Sequence, residues 1–211
     1  DHLTLGAPQL VELACGLSPR CLHRSADGRT TCVEVDLPEV IHHKRARLQA
    51  TDAGRAALHR PTLRLLAADA RELAPAEVID PSQPVALTAE GLLMYFEGQD
   101  RLDLTAHLAT WLTHPDSRLI FDLTPAAEQP RPGRLGALLG WLLRRATAGH
   151  DIVHDGQDRE QLRAELTSAG LQVEAIYDPH HPPPGLLLGW TDAPTWFVVW
   201  SCRAAPPAAT T

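Results

Sequence analysis

The sequence predicts a doubly wound α/β fold, a mainly parallel sheet covered by helices on both faces. Three observations carry this. Short apolar runs alternate with helix-periodic stretches through the first two thirds of the chain. The runs are apolar nearly throughout rather than at every second residue, as in strands buried on both faces. The first four end in a glycine turn or a carboxylate, and open α/β sheets bind ligands at the carboxyl ends of their strands.

The elements follow in order. Gln9 to Cys15 (QLVELAC) is the first strand and stops at Gly16. Thr31 to Asp36 (TCVEVD) is the second and is rich in β-formers. Leu37, Val40, Ile41, Lys44 and Leu48 then recur with a period near 3.6 and predict a helix. Thr62 to Ala68, Pro84 to Thr88 and Ser117 to Leu123 give strands three to five. Leu104, Leu108, Trp111 and Leu112 mark a helix before the fifth. Asp158 and Gln161 form a capping box that opens another helix, with Leu162, Leu166 and Ala169 inward and Gly170 at its end. Leu171 to Tyr177 and Thr195 to Ser201 are the late strands. Strand, helix, strand, repeated, implies right-handed crossovers between parallel neighbours.

The 211 residues suit one domain, assigned to 1–203. A stretch at about 124–157 interrupts the rhythm with prolines, glycines and one helix (Leu135, Leu138, Leu139, Leu142, Leu143), and reads as a lid insertion. Residues 204–211 read as a disordered tail. A net charge of -7 gives no positive field for nucleic acid or anionic membrane, so neither is expected as a partner. No apolar run approaches the roughly 20 residues of a spanning helix, and no signal peptide is visible. The chain opens at Asp1 rather than Met, which leaves room for an upstream segment.

Cys15, Cys21, Cys32 and Cys202 form no C-x-x-C pair and read as buried reduced thiols of a cytoplasmic protein. The adjacent pairs His42-His43 and His180-His181 cannot share a helix face and read as surface or pocket residues. No metal site is assigned. Trp190, Trp196 and Trp200 suit either a core or a homo-oligomer interface.

Each strand tip has a bland reading beside a functional one. Gly16 permits a tight turn; Asp36 can cap the next helix, since Asp36-Leu37-Pro38-Glu39 resembles a capping box. Asp69 can cap a helix starting at Ala70, and Glu90 can be simply solvated. One extended ligand accounts for all four at once. The Gly16 to Asp36 spacing places a carboxylate for ribose hydroxyls. A lone glycine followed by Pro19 and Arg20 cradles a pyrophosphate poorly, since G-x-G-x-x-G is missing. An adenosine ligand without a pyrophosphate fits better, with Arg20 for a carboxylate at its far end. S-adenosylmethionine has these groups.

The runs V-E-L-A-C-G-L-S-P-R, V-E-V-D-L-P-E-V-I-H-H-K, A-A-D-A-R-E and L-T-A-E-G-L-L-M-Y-F resemble the leucine carboxyl methyltransferase-like family, whose bacterial branch includes polyketide O-methyltransferases. The likeness is clear from Leu10 to Phe96 and looser beyond. It implies a class I, Rossmann-like methyltransferase sheet of seven strands, the last antiparallel, with S-adenosylmethionine as cofactor and a small-molecule acceptor. It also implies the roles of residues. Ala14 and Gly16 would lie against the cofactor, and Arg20 near its carboxylate. Glu12 would support the ammonium through water, and Asp36 would hold the ribose. Asp69 with the backbone of Ala70 would meet the adenine, and Glu90 the methionine end.

The function this implies is O-methylation of a carboxyl or hydroxyl group. A hydroxyl acceptor calls for a base, for which His150 and His154, then His180 and His181, are the candidates. Two other classes stay open on the residues alone. One is a protein that keeps the fold and binds the cofactor without methyl transfer, or uses it for another reaction. The other is a nucleotide-dependent oxidoreductase, which the missing glycine fingerprint disfavours.

Overall fold

The computed structural model describes residues 6–125, 158–178 and 198–206. The strands are β1 (Gln9–Leu13), β2 (Thr31–Asp36), β3 (Leu63–Ala67), β4 (Val85–Ala89), β5 (Arg118–Asp122), β6 (Leu171–Tyr177) and β7 (Val199–Ala204). They form one seven-stranded sheet in the order β3-β2-β1-β4-β5-β7-β6. The first five are parallel to one another, and β7 runs antiparallel between β5 and β6. This is the mixed sheet expected from the sequence, with β2 and β6 spanning the anticipated residues. The strand order turns back between β1 and β4, so their carboxyl ends face a topological switch point.

The helices are α1 (Arg20–Arg24), α2 (Pro38–Gln49), α3 (Asp52–Leu58), α4 (Gly98–Ala109) and α5 (Arg159–Ser168). Two apolar clusters show how they cover the sheet. Leu10 and Cys32 on one face pack with Cys21, Ile41 and Ala57 from α1 to α3. Val11, Leu13, Leu87 and Phe121 on the other pack with Leu104 and Leu108 of α4 and with Leu162 and Leu166 of α5. Every residue of β1 and of β4 is buried, which explains why those runs are apolar without alternation. Trp111 and Leu112, expected on a helix, lie just past the end of α4 and are buried there.

Local rules set the helix ends. Asp158 and Gln161 form the capping box of α5, and Gly170 follows it with φ 84°. Across the second face, buried Arg101 of α4 donates from Nε to Glu165 Oε1 at 2.7 Å and from Nη2 to Oε2 at 2.8 Å. Trp200 stacks on Phe121 with centroids 6.3 Å apart and donates its indole N–H to the Leu123 carbonyl at 2.8 Å.

Helices α2 and α3 meet at a corner with no room for a side chain. Thr51 caps α3 by accepting the Gly54 N–H at 3.1 Å. A Cβ on Gly54 would stand 2.1 Å from the Leu48 carbonyl oxygen. Gly54→Ala is therefore expected to cost about 1–3 kcal/mol, the usual cost of overpacking. Urea denaturation reads this, and an unchanged midpoint would mean that the corner relaxes freely.

Several expectations lie outside the described residues: most of the lid insertion with its helix, His150, His154, His180, His181, Trp190, Trp196 and most of the tail.

Candidate functional site

Most predicted rim residues lie at or just beyond the carboxyl ends of β1 to β4, where Gly16 meets Asp36, and Arg20 meets Glu12 and Glu90. After Leu13 the chain enters a turn in which Ala14 (φ 50°) and Gly16 (φ 49°) are both left-handed. For alanine this conformation costs roughly 1–2 kcal/mol, so the surroundings must hold it. They do: the Cys15 N–H donates to the Val35 carbonyl at 3.2 Å, and the Ser18 N–H to that of Cys15 at 2.9 Å. The Gly16 N–H donates to Asp36 Oδ2 at 2.7 Å. A Cβ on Gly16 would meet nothing within 4 Å, so the space over the turn is open.

Asp36 spends its other oxygen on the Leu37 N–H at 2.8 Å. Leu37, not Asp36, occupies the cap position of α2, and no side chain caps that helix. The capping-box alternative for Asp36 is thus replaced by a bond across the rim to the glycine turn. A carboxylate offers about four lone-pair positions, so capacity for ligand hydroxyls remains.

Arg20, the first residue of α1, joins the tips of β1 and β4. Its Nη1 lies 2.9 Å from Glu12 Oε1 and its Nη2 2.6 Å from Glu90 Oε1. Glu12 is buried and also accepts from Ser18 Oγ at 3.0 Å and from the Cys21 N–H at 3.3 Å. Glu12 therefore fixes the guanidinium from below, whereas the Glu90 side chain, 53% exposed, meets it at the surface. Glu90 is not merely solvated.

Asp69 stands at the tip of β3 and Ala70, half-buried, beside it. No helix begins at Ala70; a turn follows, and the next helical element is the short 3-10 turn Pro75–Glu77. The Asp69 carboxylate instead accepts the Arg71 N–H at 2.9 Å and pairs with the Arg71 guanidinium. That pairing holds its carboxyl below the usual range.

Three residues at or beneath the rim were not singled out from the sequence. Asp122, at the end of β5, accepts the Gly91 N–H at 2.5 Å and so fixes the turn that carries Glu90. Burial holds its carboxyl above the usual range. The sequence signal was there: a carboxylate stands next to the end of the fifth apolar run as well. The other two are Glu34 and Lys44, both fully buried, whose side chains form an ion pair at 2.9 Å beneath the glycine turn. Burial raises the Glu34 carboxyl to about 7, against the opposing pull of Lys44.

Glu12, Cys21 and Glu34 each place a donor atom within 4.8 Å of the others. The chemistry of this set does not suit a metal ion. Arg20 already neutralises Glu12, and Lys44 faces Glu34. A hydrogen bond with Cys32, together with burial, keeps the Cys21 thiol far above its usual range, whereas a ligand would be thiolate. His42 and His43 are exposed on α2, as expected from their adjacency.

The profile of the family described as leucine carboxyl methyltransferase matches residues 1–109, the segment from β1 through α4. The chain belongs to the leucine carboxyl methyltransferase family. Glu12, Ala14, Gly16, Arg20, Asp36, Asp69, Ala70 and Glu90 all fall inside the matched segment. A relative from Mycolicibacterium smegmatis, named "Putative S-adenosyl-L-methionine-dependent methyltransferase", is 33% identical over 189 residues, covering 83% of this chain and 57% of the relative. The chain spans about half the length of the curated relatives it matches.

Among solved structures, the mitomycin 7-O-methyltransferase MmcR superposes with a TM-score of 0.59 at 20% identity, over 95% of this chain and 50% of that one. The O-methyltransferase NcsB1 from neocarzinostatin biosynthesis, in complex with S-adenosylmethionine and 2-hydroxy-5-methyl naphthoic acid, gives 0.58 at 10% identity, over 94% and 49%. These two likenesses show that this leucine carboxyl methyltransferase family member shares the methyltransferase fold. Among the described residues no helix is long and apolar enough to cross a membrane.

Proposed function

We propose that the chain binds S-adenosylmethionine along the tips of β1 to β4 and directs its methyl group to a carboxyl or hydroxyl oxygen of a small natural-product acceptor. One observation carries the reading: the strained turn at Ala14 and Gly16 is open on its outer side, bonded to Asp36 and followed by Arg20, which pairs with Glu12 and Glu90. This donor set fits the ligand group by group. Asp36 suits ribose hydroxyls, and Asp69 with the backbone of Ala70 suits the adenine edge. Arg20 suits the carboxylate, held rigid by Glu12, while Glu90 suits the cationic end. Ala14 and Gly16 offer backbone for close approach.

When bound, the cofactor supplies a methyl group on a cationic sulfur. The protein's part is alignment, which lowers such barriers by up to about 7–11 kcal/mol. Glu90 favours a cation in the ground state. That charge fades as the methyl moves, so Glu90 contributes to affinity rather than to rate. A carboxylic acid acceptor, which ordinarily titrates near pH ~4, is ionised at neutral pH and needs no base. A hydroxyl acceptor needs one, and His150 and His154 are the first candidates. The named activities of MmcR and NcsB1 guide the choice of an aromatic natural product over a protein acceptor. The buried free cysteines suit work in the reducing cytoplasm.

Calorimetry with S-adenosylmethionine tests the binding, and methyl release against panels of carboxylic acids and phenols tests the transfer. Saturable heat with this ligand and none with a nicotinamide dinucleotide is expected; the reverse pattern would move the protein to another class. Arg20→Lys is expected to bind the cofactor about tenfold more weakly, because one ammonium cannot span Glu12 and a ligand carboxylate as the planar fork does. Equal affinity in that variant would remove Arg20 from the ligand set.

A further inference from the structure

The D-L-P-x-V-x-x-x-K run ends in a lysine to which the proposed function gives no task. In the structure Lys44 does not point to solvent. It is 2% exposed, lies under the glycine turn, and donates from Nζ to the Ser18 carbonyl at 2.9 Å. The same Nζ lies 2.9 Å from Glu34 Oε2. That contact is an ion pair rather than an aligned hydrogen bond, and Glu34 Oε1 has no hydrogen-bond partner. Glu34 sits opposite Glu12 in the β1–β2 register, so two neighbouring strands place carboxylates side by side beneath the turn.

We infer that Lys44 is a positioning residue for the cofactor turn, gripping its far end while Asp36 grips its near end. The two polar residues of one short run thus act on opposite sides of the same loop. Asp36 accepts the Gly16 N–H at 2.7 Å, and Lys44 donates to the Ser18 carbonyl at 2.9 Å. Between these points lie Gly16, Leu17 and Ser18, and only Pro19 separates them from Arg20. The turn carries the left-handed strain of Ala14, so it keeps its shape only while such restraints persist. Glu34 is the counter-charge that lets an ammonium sit at this depth. A hydrophobic residue at position 44 could fill the same volume, but could neither face Glu34 nor hold a carbonyl.

This inference rests on the cofactor reading above, and the experiment separates the two. Lys44→Met alone leaves Glu34 buried without its cation and is expected to lower the melting temperature. The informative variant is the neutral pair Lys44→Met with Glu34→Gln, which keeps volume and removes the unmatched charge. The pair is expected to melt within a few degrees of wild type yet to bind S-adenosylmethionine about tenfold more weakly by calorimetry. Hydrogen exchange without cofactor gives an independent arm. The amides of Cys15, Gly16 and Ser18 are expected to exchange about tenfold faster in the pair, while those of β4 and β5 stay unchanged. A pair that regains both full affinity and full protection would overturn the proposal and leave Lys44 with charge balance alone. If wild type itself binds no S-adenosylmethionine, the cofactor reading falls, and the exchange arm still decides the role of Lys44.

Discussion

Asp36→Ala is expected to weaken S-adenosylmethionine binding by about a hundredfold, or ~3 kcal/mol, the larger part of it from one lost charge-assisted hydrogen bond to the ribose. The rest comes from within the protein. The Gly16 N–H loses its acceptor at 2.7 Å, and the turn loses the restraint at its near end. Asp36→Asn separates these contributions. An amide oxygen can still accept the Gly16 N–H, but the charge is gone and the amide nitrogen opposes a hydroxyl donor. The expected order of affinity is therefore wild type, then Asn, then Ala. Calorimetry on variants with unchanged melting temperature reads the order. Wild-type affinity in a folded Ala variant would remove Asp36 from the site, and an Asn variant equal to wild type would show that charge plays no part.

The succession of strands along the chain and the tips of the first four were legible because both depend on local patterns. β2 matched residue for residue, since β-formers run to a carboxylate and then to Pro38, which starts α2. The start of α5 was legible because Asp158 and Gln161 complete a capping box within one turn. Asp69 reads as a cap in sequence, but a local competitor wins: Arg71, two residues on, holds its carboxylate in a turn. The other failures have a common cause. Lys44 fits the inner stripe of α2 by period, yet nothing local shows that its partners are Glu34 on β2 and Ser18 in the glycine turn. Asp122 likewise depends on Gly91, an amide on the neighbouring strand's turn. A buried polar group is explained by its partner, and these partners are distant in sequence.

Glu34→Gln provides the second large effect, read as a dependence of stability on pH. Burial raises the Glu34 carboxyl from 4.5 to about 7 in the folded protein. The groups around it are Lys44 at 2.9 Å, Glu12 across the strand pair, and the Cys21 thiol. Lys44 favours the ionised form, Glu12 disfavours it, and burial outweighs the attraction. The folded state therefore holds this proton more tightly than the unfolded chain does. Its contribution to stability is present in full below pH 4.5 and is lost as the pH rises through about 7. Gln cannot titrate. The stability of wild type relative to Glu34→Gln should thus fall by up to about 3 kcal/mol from acid to above neutral pH. Urea unfolding of both proteins across that range isolates the effect, because the other titrations are shared. A difference that stays constant with pH would mean that Lys44 keeps Glu34 ionised throughout, so that attraction rather than burial governs the charge beneath the turn.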